Sequence, residues 1–106
     1  MTRGPFRVQQ IDMAQNVDVI NNEQKSRFEN ETDGRVSVAE YELRPGAIVF
    51  THTEVPQELS GRGIAQQLVR TALEHARSQN LRVVPLCAYV QSFIQRHPEY
   101  QDLVGE

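Results

Sequence analysis

Two glycines separated by one residue lie at the start of a long helical pattern. Gly61 and Gly63, in the stretch Leu-Ser-Gly-Arg-Gly-Ile-Ala at residues 59–65, let the backbone turn tightly and leave several N–H groups unpaired. The helix dipole adds partial positive charge at this end, and Arg62 adds a full charge. The pattern predicts a site for phosphate or pyrophosphate. The alternative is a tight turn in which Ser60 caps the helix.

The single cysteine lies between a short apolar strand pattern and a second helical pattern. A thiol at the start of a helix is favoured as the thiolate, which makes Cys87 a candidate nucleophile. The alternative is that Cys87 is a small buried hydrophobic residue, as unpaired cysteines often are. Position alone leaves both interpretations open.

Two polar residues lie near the end of an apolar run at residues 47–55. If this run is a regular strand, His52 and Glu54 point to the same face as Ile48 and Phe50. Their position just before the glycine turn indicates a general base that takes a proton from an attacking nucleophile. The alternative is that both are partly exposed strand-end residues with local hydrogen bonds.

The elements that must position these residues begin with several strands. Asp33-Gly34 is a strong hairpin signal, and Arg44-Pro45-Gly46 predicts a second turn. Residues 35–43 alternate imperfectly, which indicates either a strand covered on both faces or a bulge near Ala39 and Glu40. The sequence therefore predicts an antiparallel meander, with strands at residues 17–21, 27–31, 35–43 and 47–55.

A crossover helix and a further strand follow the meander. Apolar residues recur every four positions between residues 61 and 79, which predicts an amphipathic helix with His75 in a structural role. Residues 81–86 predict a strand parallel to the one before the helix, and Pro85 indicates that their pairing stops there. A second helix follows Cys87 and ends at Pro98, with His97 closing it.

Length and composition limit the function classes. The chain has 106 residues, which predicts one domain at residues 17–106 preceded by a tail at residues 1–16. A net charge of −3 with scattered basic residues argues against nucleic-acid binding. One cysteine excludes an intrachain disulfide, and no apolar run suits a membrane span or signal peptide. We expect a soluble, cytoplasmic monomer or small homo-oligomer without a metal.

Several motifs in order resemble the GNAT superfamily of N-acetyltransferases, in its very small single-domain branch. The glycine turn is similar to the superfamily motif Gln/Arg-x-x-Gly-x-Gly/Ala, with Ser60 in the first place, Gly63 as its first glycine and Ala65 in the last. The matching segments cover the chain from about residue 17 to its end. They are Ser26-Arg27-Phe28-Glu29, Asp33-Gly34, Phe50-Thr51-His52-Thr53-Glu54-Val55, Gly61-Arg62-Gly63-Ile64-Ala65, Val84-Pro85-Leu86-Cys87 and Arg96-His97-Pro98.

The resemblance implies an α/β fold with a mixed sheet and acetyl-coenzyme A (acetyl-CoA) as acyl donor to an unidentified amine. It implies that the strand around Glu54 and Val55 pairs with the pantetheine amide, and that this arm lies where the parallel strands separate. It also implies that Cys87 lies near the thioester and that Tyr89 can protonate the departing thiolate; alternatively, the Tyr89 ring packs at the helix start. The residues that would hold the pyrophosphate are Gly61, Arg62, Gly63, Ile64 and Ala65.

Two other functions stay open at this point. Larger members of the superfamily usually have a helical pair between the first strands and two further strands at the end, and this chain has room for neither. One alternative is therefore a module that binds coenzyme A or acyl-coenzyme A without turnover. The other is a small interaction protein in which the glycine turn is only a turn.

Overall fold

The computed structural model describes residues 17–105, and the predicted tail at residues 1–16 lies outside them. Its centre is a five-stranded sheet in which the spatial order of the strands is their order in the chain. The first four strands form an antiparallel meander and the fifth pairs parallel with the fourth, which confirms the predicted fold class. The strands are β1 (Ile20–Asn22), β2 (Arg27–Thr32), β3 (Arg35–Arg44), β4 (Ala47–Glu54) and β5 (Arg82–Pro85).

The two predicted hairpin turns are confirmed. Asp33 and Gly34 both have positive φ, 53° and 75°, as a primed two-residue turn requires. The turn between β3 and β4 has Gly46 at φ 73°. The first strand begins later than predicted, because the carbonyl of Asp18 accepts a hydrogen bond from the Asn30 side chain at 2.8 Å instead of joining a ladder.

The predicted irregularity in the sheet is a bulge, and its extra residue lies in β4. Glu40 pairs with His52, whereas the next residue of β3, Tyr41, pairs with Phe50. Thr51 therefore has no partner position across the ladder. Since side chains alternate along a strand, one extra residue moves every later side chain of β4 to the opposite face.

The helix α1 (Ile64–Ser78) packs on one face of the sheet. Its side chain His75 contacts the ring of Phe28 on β2 edge-on, with 5.5 Å between the ring centroids. This contact agrees with the structural role predicted for His75. The apolar stripe predicted at intervals of four is fully buried at Ile64, Leu68, Ala72 and Ala76, and Val69 and Leu73 are buried beside it.

The helix α2 (Ala88–Arg96) adds Val90, Phe93 and Ile94 to the same core. His97 ends it as predicted, since its Nδ1 donates to the carbonyl of Phe93 at 2.8 Å and its ring stacks on the Phe93 ring. A short 3-10 helix, Pro98–Leu103, then returns the chain to α1. There Arg77 holds both carboxylate oxygens of Asp102.

Candidate functional site

The glycine turn leaves an uninterrupted run of backbone donors at the start of α1. Gly61 and Gly63 have φ of 84° and 80°, so the helix begins at Ile64, three residues later than predicted, with Gly63 as its N-cap. Within residues 17–105, the amide N–H groups of residues 61–66 donate to no carbonyl or side chain. The first turn of α1 carries no acidic residue. The donors and the helix dipole therefore both favour an anion here.

Ser60 does not cap α1, which corrects that alternative. Its hydroxyl donates to the carbonyl of Gln57 at 2.9 Å and closes the short 3-10 helix that precedes the turn. The physical reason is the left-handed backbone of Gly61 and Gly63, which separates Ser60 from the first turn of α1.

An open cavity of about 230 Å³ lies between the glycine turn, the residue after β4 and the start of α2. It brings together six residues that the sequence assigned to the site. They are Val55, Gly61, Gly63, Ile64, Ala65 and Tyr89, and the lining is completed by Leu59, Ser60 and Gln66. Apart from the glycine itself and its chain neighbours, no atom of residues 17–105 lies within 4 Å of the position that a Cβ atom would take on Gly61 or Gly63, so the backbone there is open to a ligand.

Arg62 is the predicted anion-binding residue that does not line the cavity. Its guanidinium donates to the Asp33 carboxylate at 3.0 Å, across to the turn between β2 and β3. Both side chains are exposed, by 51% and 64%. Arg62 therefore lies beside the amides with its charge paired.

The strands β4 and β5 separate at Pro85, as predicted. Their pairing runs from Ala47–Arg82 to Phe50–Pro85. The amides of Leu86 and Cys87 then both donate to the carbonyl of Phe50, each at 3.0 Å, which turns the chain away from β4 into α2. Past Phe50, the edge of β4 that faced β5 is free of strand pairing in the described residues. A gap opens there, and Cys87 lies at its closed end.

The side chain across this gap from Cys87 is Thr53, which the sequence analysis did not single out. The hydroxyl oxygen of Thr53 and the sulfur of Cys87 are 3.4 Å apart, and either can donate. The bulge at Thr51 is the cause, because it gives Thr53 the face on which Phe50 lies. The imperfect alternation of β3 was the available signal, although it did not identify the extra residue in β4.

The predicted orientation of His52 and Glu54 is wrong for the same reason. Their partners across the ladder are Glu40 and Val38, so both point away from the face of Phe50 and Cys87. The Nε2 atom of His52 lies 3.1 Å from a Glu54 carboxylate oxygen, and the side chains are 53% and 71% exposed. The structure thus places this pair and Cys87 on opposite faces of β4.

Tyr89 is the second residue of α2 and lines the cavity at the glycine turn. Partial burial raises the pKa of its phenol above the ordinary value, while the charge of Arg96 acts in the opposite direction. The phenol therefore stays protonated over the physiological range.

Two structural features are absent from the described residues. Across residues 17–105, no cluster of three His, Cys, Asp or Glu residues is arranged to hold a metal ion. Neither helix of this part of the chain has the length and apolar character to cross a bilayer.

Comparison with known proteins assigns the fold and the family. A family model described as GCN5-related N-acetyl-transferase matches residues 27–103. Protein NATD1 of Danio rerio is 30% identical over 80 residues, which are 74% of this chain and 72% of that protein. Protein NATD1 of Bos taurus is 43% identical over 47 residues, which span 42% of its length and 44% of this chain.

A solved structure has the same architecture. The NMR solution structure of a GCN5-like candidate N-acetyltransferase from Staphylococcus aureus superposes with a TM-score of 0.67 at 25% identity. The superposition covers 85% of this chain and 89% of that one. With the family model spanning most of the described residues, the chain belongs to the GCN5-related N-acetyltransferase family.

Proposed function

We propose that this protein transfers an acetyl group from acetyl-CoA to an amine, with the sulfur of Cys87 at the reacting centre. The observation that carries the proposal is the cavity in which the unpaired amides of the glycine turn lie with Val55 and Tyr89. Cys87 does not line this cavity, but it lies two residues before Tyr89, where β4 and β5 have separated. Family membership supports the acyl donor.

The residues present fit a pyrophosphate and a pantetheine arm. Six consecutive free amides, from Gly61 to Gln66, suit the oxygens of a pyrophosphate, and the absence of Cβ atoms at both glycines leaves room for it. The unpaired edge of β4 up to Val55 offers backbone groups to the amides of the arm. Acetyl-CoA supplies an acetyl group activated as a thioester.

Two residues of this chain have roles in the transfer. Cys87 attacks as the thiolate, its proton having left to water: its sulfur forms a bond to the acetyl carbon while the thioester C–S bond breaks, and Tyr89 gives its phenolic proton to the released sulfur. The amine then takes the acetyl group from Cys87, and its proton returns to Tyr89. In the alternative route, the amine attacks acetyl-CoA directly and His52 or Glu54 accepts its proton. Both residues lie on the face of β4 opposite Cys87.

A second candidate function is a module that binds coenzyme A or an acylated form of it without turnover. The feature that favours it is the connection between β1 and β2, which is the short 3-10 helix Glu23–Lys25. Larger relatives have a helical pair at this place, and it forms part of their acceptor site. Both candidates require coenzyme A binding, whereas a simple interaction protein does not.

Titration calorimetry with acetyl-CoA tests the donor site. The wild-type protein is expected to bind saturably, and Gly63→Glu is expected to bind more than about 100-fold more weakly, because a carboxylate would face the phosphates. Gly46→Glu is the matched control. Gly46 has a similar positive φ of 73° and equally open surroundings, but it lies in the turn between β3 and β4.

The control separates binding from strain. Both variants force a side chain onto a left-handed backbone, which costs about 1–2 kcal/mol of stability in each. Equal loss of binding in the two would attribute the effect to folding and remove support for the turn. Folded wild-type protein that shows no heat of binding would contradict the proposed function.

A further inference from the structure

One hydrogen bond between side chains joins β4 to Cys87, the residue before α2. Thr53 lies past the point where β4 and β5 separate, and Cys87 lies past the same point on the other strand. Their hydroxyl and sulfur, 34 residues apart in sequence, approach to 3.4 Å. The hydrogen bond therefore crosses the gap itself.

The main chain of Cys87 is fixed independently of its side chain. Its amide donates to the carbonyl of Phe50, and its carbonyl accepts from the amide of Gln91 in the first turn of α2. The sulfur has Thr53 as its hydrogen-bonding partner within residues 17–105. The hydroxyl of Thr53 is thus the group that can hold the Cys87 side chain in one orientation.

The other polar side chains of β4 are turned away from this sulfur. His52 and Glu54 bond to each other on the opposite face, and the hydroxyl of Thr51 donates to the carbonyl of Glu40. The β4 side chain that contacts the sulfur of Cys87 is therefore the neutral hydroxyl of Thr53, and not a charged base.

We infer that Thr53 is a positioning residue for Cys87. Its hydroxyl donates to the thiolate sulfur, which stabilises the charged form and holds the sulfur in the gap between β4 and β5. The proton of the thiol leaves to water, since the gap is open. The effect on acetyl transfer rests on the proposed function, but the effect on the sulfur does not.

The rate at which Cys87 reacts with iodoacetamide at fixed neutral pH measures the effect on the sulfur directly. The chain has one cysteine, so the reaction reports this thiol alone. Thr53→Val keeps the shape and removes the hydroxyl. We expect alkylation about five- to tenfold slower, because a hydrogen bond to the charged sulfur is lost while the more basic thiolate is a better nucleophile, which offsets part of the effect. Thr53→Ser keeps the hydroxyl and is expected to retain the wild-type rate.

Thr51→Val is the matched control. It removes a threonine hydroxyl from the same strand, two residues away, on a side chain that contacts the carbonyl of Glu40 instead of the sulfur. We expect an unchanged alkylation rate. Circular dichroism and a thermal melt establish that each variant is folded, and Thr53→Ala replaces Thr53→Val if the valine variant is not.

The outcomes separate this inference from the proposed function. Alkylation of Thr53→Val as fast as or faster than wild type would overturn the inference, because the thiol would then be the donor. If wild type neither binds nor uses acetyl-CoA and Thr53→Val still slows alkylation, the function fails and the role of Thr53 stands. If wild type transfers acetyl groups, Thr53→Val should lower kcat and leave KM for acetyl-CoA unchanged.

Discussion

At the scale of single residues, the chemistry of β4 is decided by which face each polar side chain occupies. Thr51 is the extra residue, and after it Thr53 faces Cys87 while His52 and Glu54 face the other way. A base is therefore available on one face of the strand and a nucleophile on the other. Covalent transfer through Cys87 and direct attack by an amine become two separable routes.

Replacing Cys87 by alanine distinguishes these routes. After incubation with acetyl-CoA, we expect the wild-type protein to gain one acetyl group by mass spectrometry and to release free coenzyme A thiol. Cys87→Ala should do neither, because the accepting sulfur is missing. Its affinity for acetyl-CoA should stay within about twofold of wild type, since the amides of the glycine turn are unchanged.

Cys87→Ser is the control for packing, because it keeps the size of the side chain and a hydrogen bond to Thr53. Undiminished transfer to an amine by Cys87→Ala would disprove the covalent route and favour direct attack assisted by His52 or Glu54. Binding without any acetylation in the wild type would favour the module that holds coenzyme A without turnover.

At the scale of elements, the glycine turn is connected to the turn between β2 and β3. Arg62 bonds to Asp33 at 3.0 Å, and Arg35 lies 3.5 Å from the carboxylate of Glu58 just before the glycine turn. The first pair places an acidic group next to the predicted phosphate site. If a phosphate binds at the glycine turn, we expect it to compete with Asp33 for the charge of Arg62.

Asp33→Asn is expected to strengthen acetyl-CoA binding. Asparagine tolerates the positive φ of 53° at this position, so the turn is retained while the carboxylate charge is lost. Because exposed ion pairs contribute about 0.2–1 kcal/mol, the gain in affinity should be about two- to fivefold at low salt. Titration calorimetry measures it, and the gain should shrink as ionic strength rises.

The double variant with Arg62→Gln provides the cross-check. If the released guanidinium causes the gain, Asp33→Asn should have no effect on binding when Arg62 is already replaced. The same gain in both backgrounds would mean that Asp33 acts by simple repulsion, and the interpretation of the pair would be wrong.

The elements were the most predictable part of this molecule, and their local irregularities the least. The Asp33-Gly34 turn, the apolar stripe of α1 and the end of pairing at Pro85 follow from residue type and spacing alone. The location of the bulge does not, because Thr51 carries no local signal and the extra residue depends on how two strands align. Arg62 was likewise assigned by proximity in sequence, whereas its pairing depends on a turn 29 residues away.

At the scale of the whole molecule, all three tyrosines respond to burial in the fold. Burial is the largest cause that raises the pKa of Tyr41, Tyr89 and Tyr100 above 10.0. The charge of Glu23 adds to the effect at Tyr41, and a hydrogen bond to Glu74 adds to it at Tyr100. At alkaline pH, the folded chain therefore keeps phenolic protons on these tyrosines that the unfolded chain has already released.

We expect stability to decline at alkaline pH for this reason. Because each folded pKa lies above the unfolded value, the contribution is complete below pH 10.0 and is lost as pH rises through the folded values. Ultraviolet absorbance of ionised tyrosine should show delayed titration in native protein and ordinary titration in urea. The chain has no tryptophan, which keeps the signal simple.

Tyr89→Phe measures how much of the delayed tyrosine titration comes from Tyr89, the tyrosine that lines the cavity. The variant should lose one ionisation from the delayed group and keep the other two. Native protein that titrates at the same pH as urea-unfolded protein would contradict the burial of these rings.

The agreement between strand order and chain order has a consequence for how the protein is made. The first three strand pairings are hairpins or short connections that close over a few residues, whereas β4 and β5 pair across α1. Low sequence separation favours early pairing, so we expect the meander to form first. During synthesis on the ribosome, β1 to β4 emerge before the segment that completes the sheet. The gap that holds Cys87 and Thr53 then forms only after the strand that carries Thr53 is already in place.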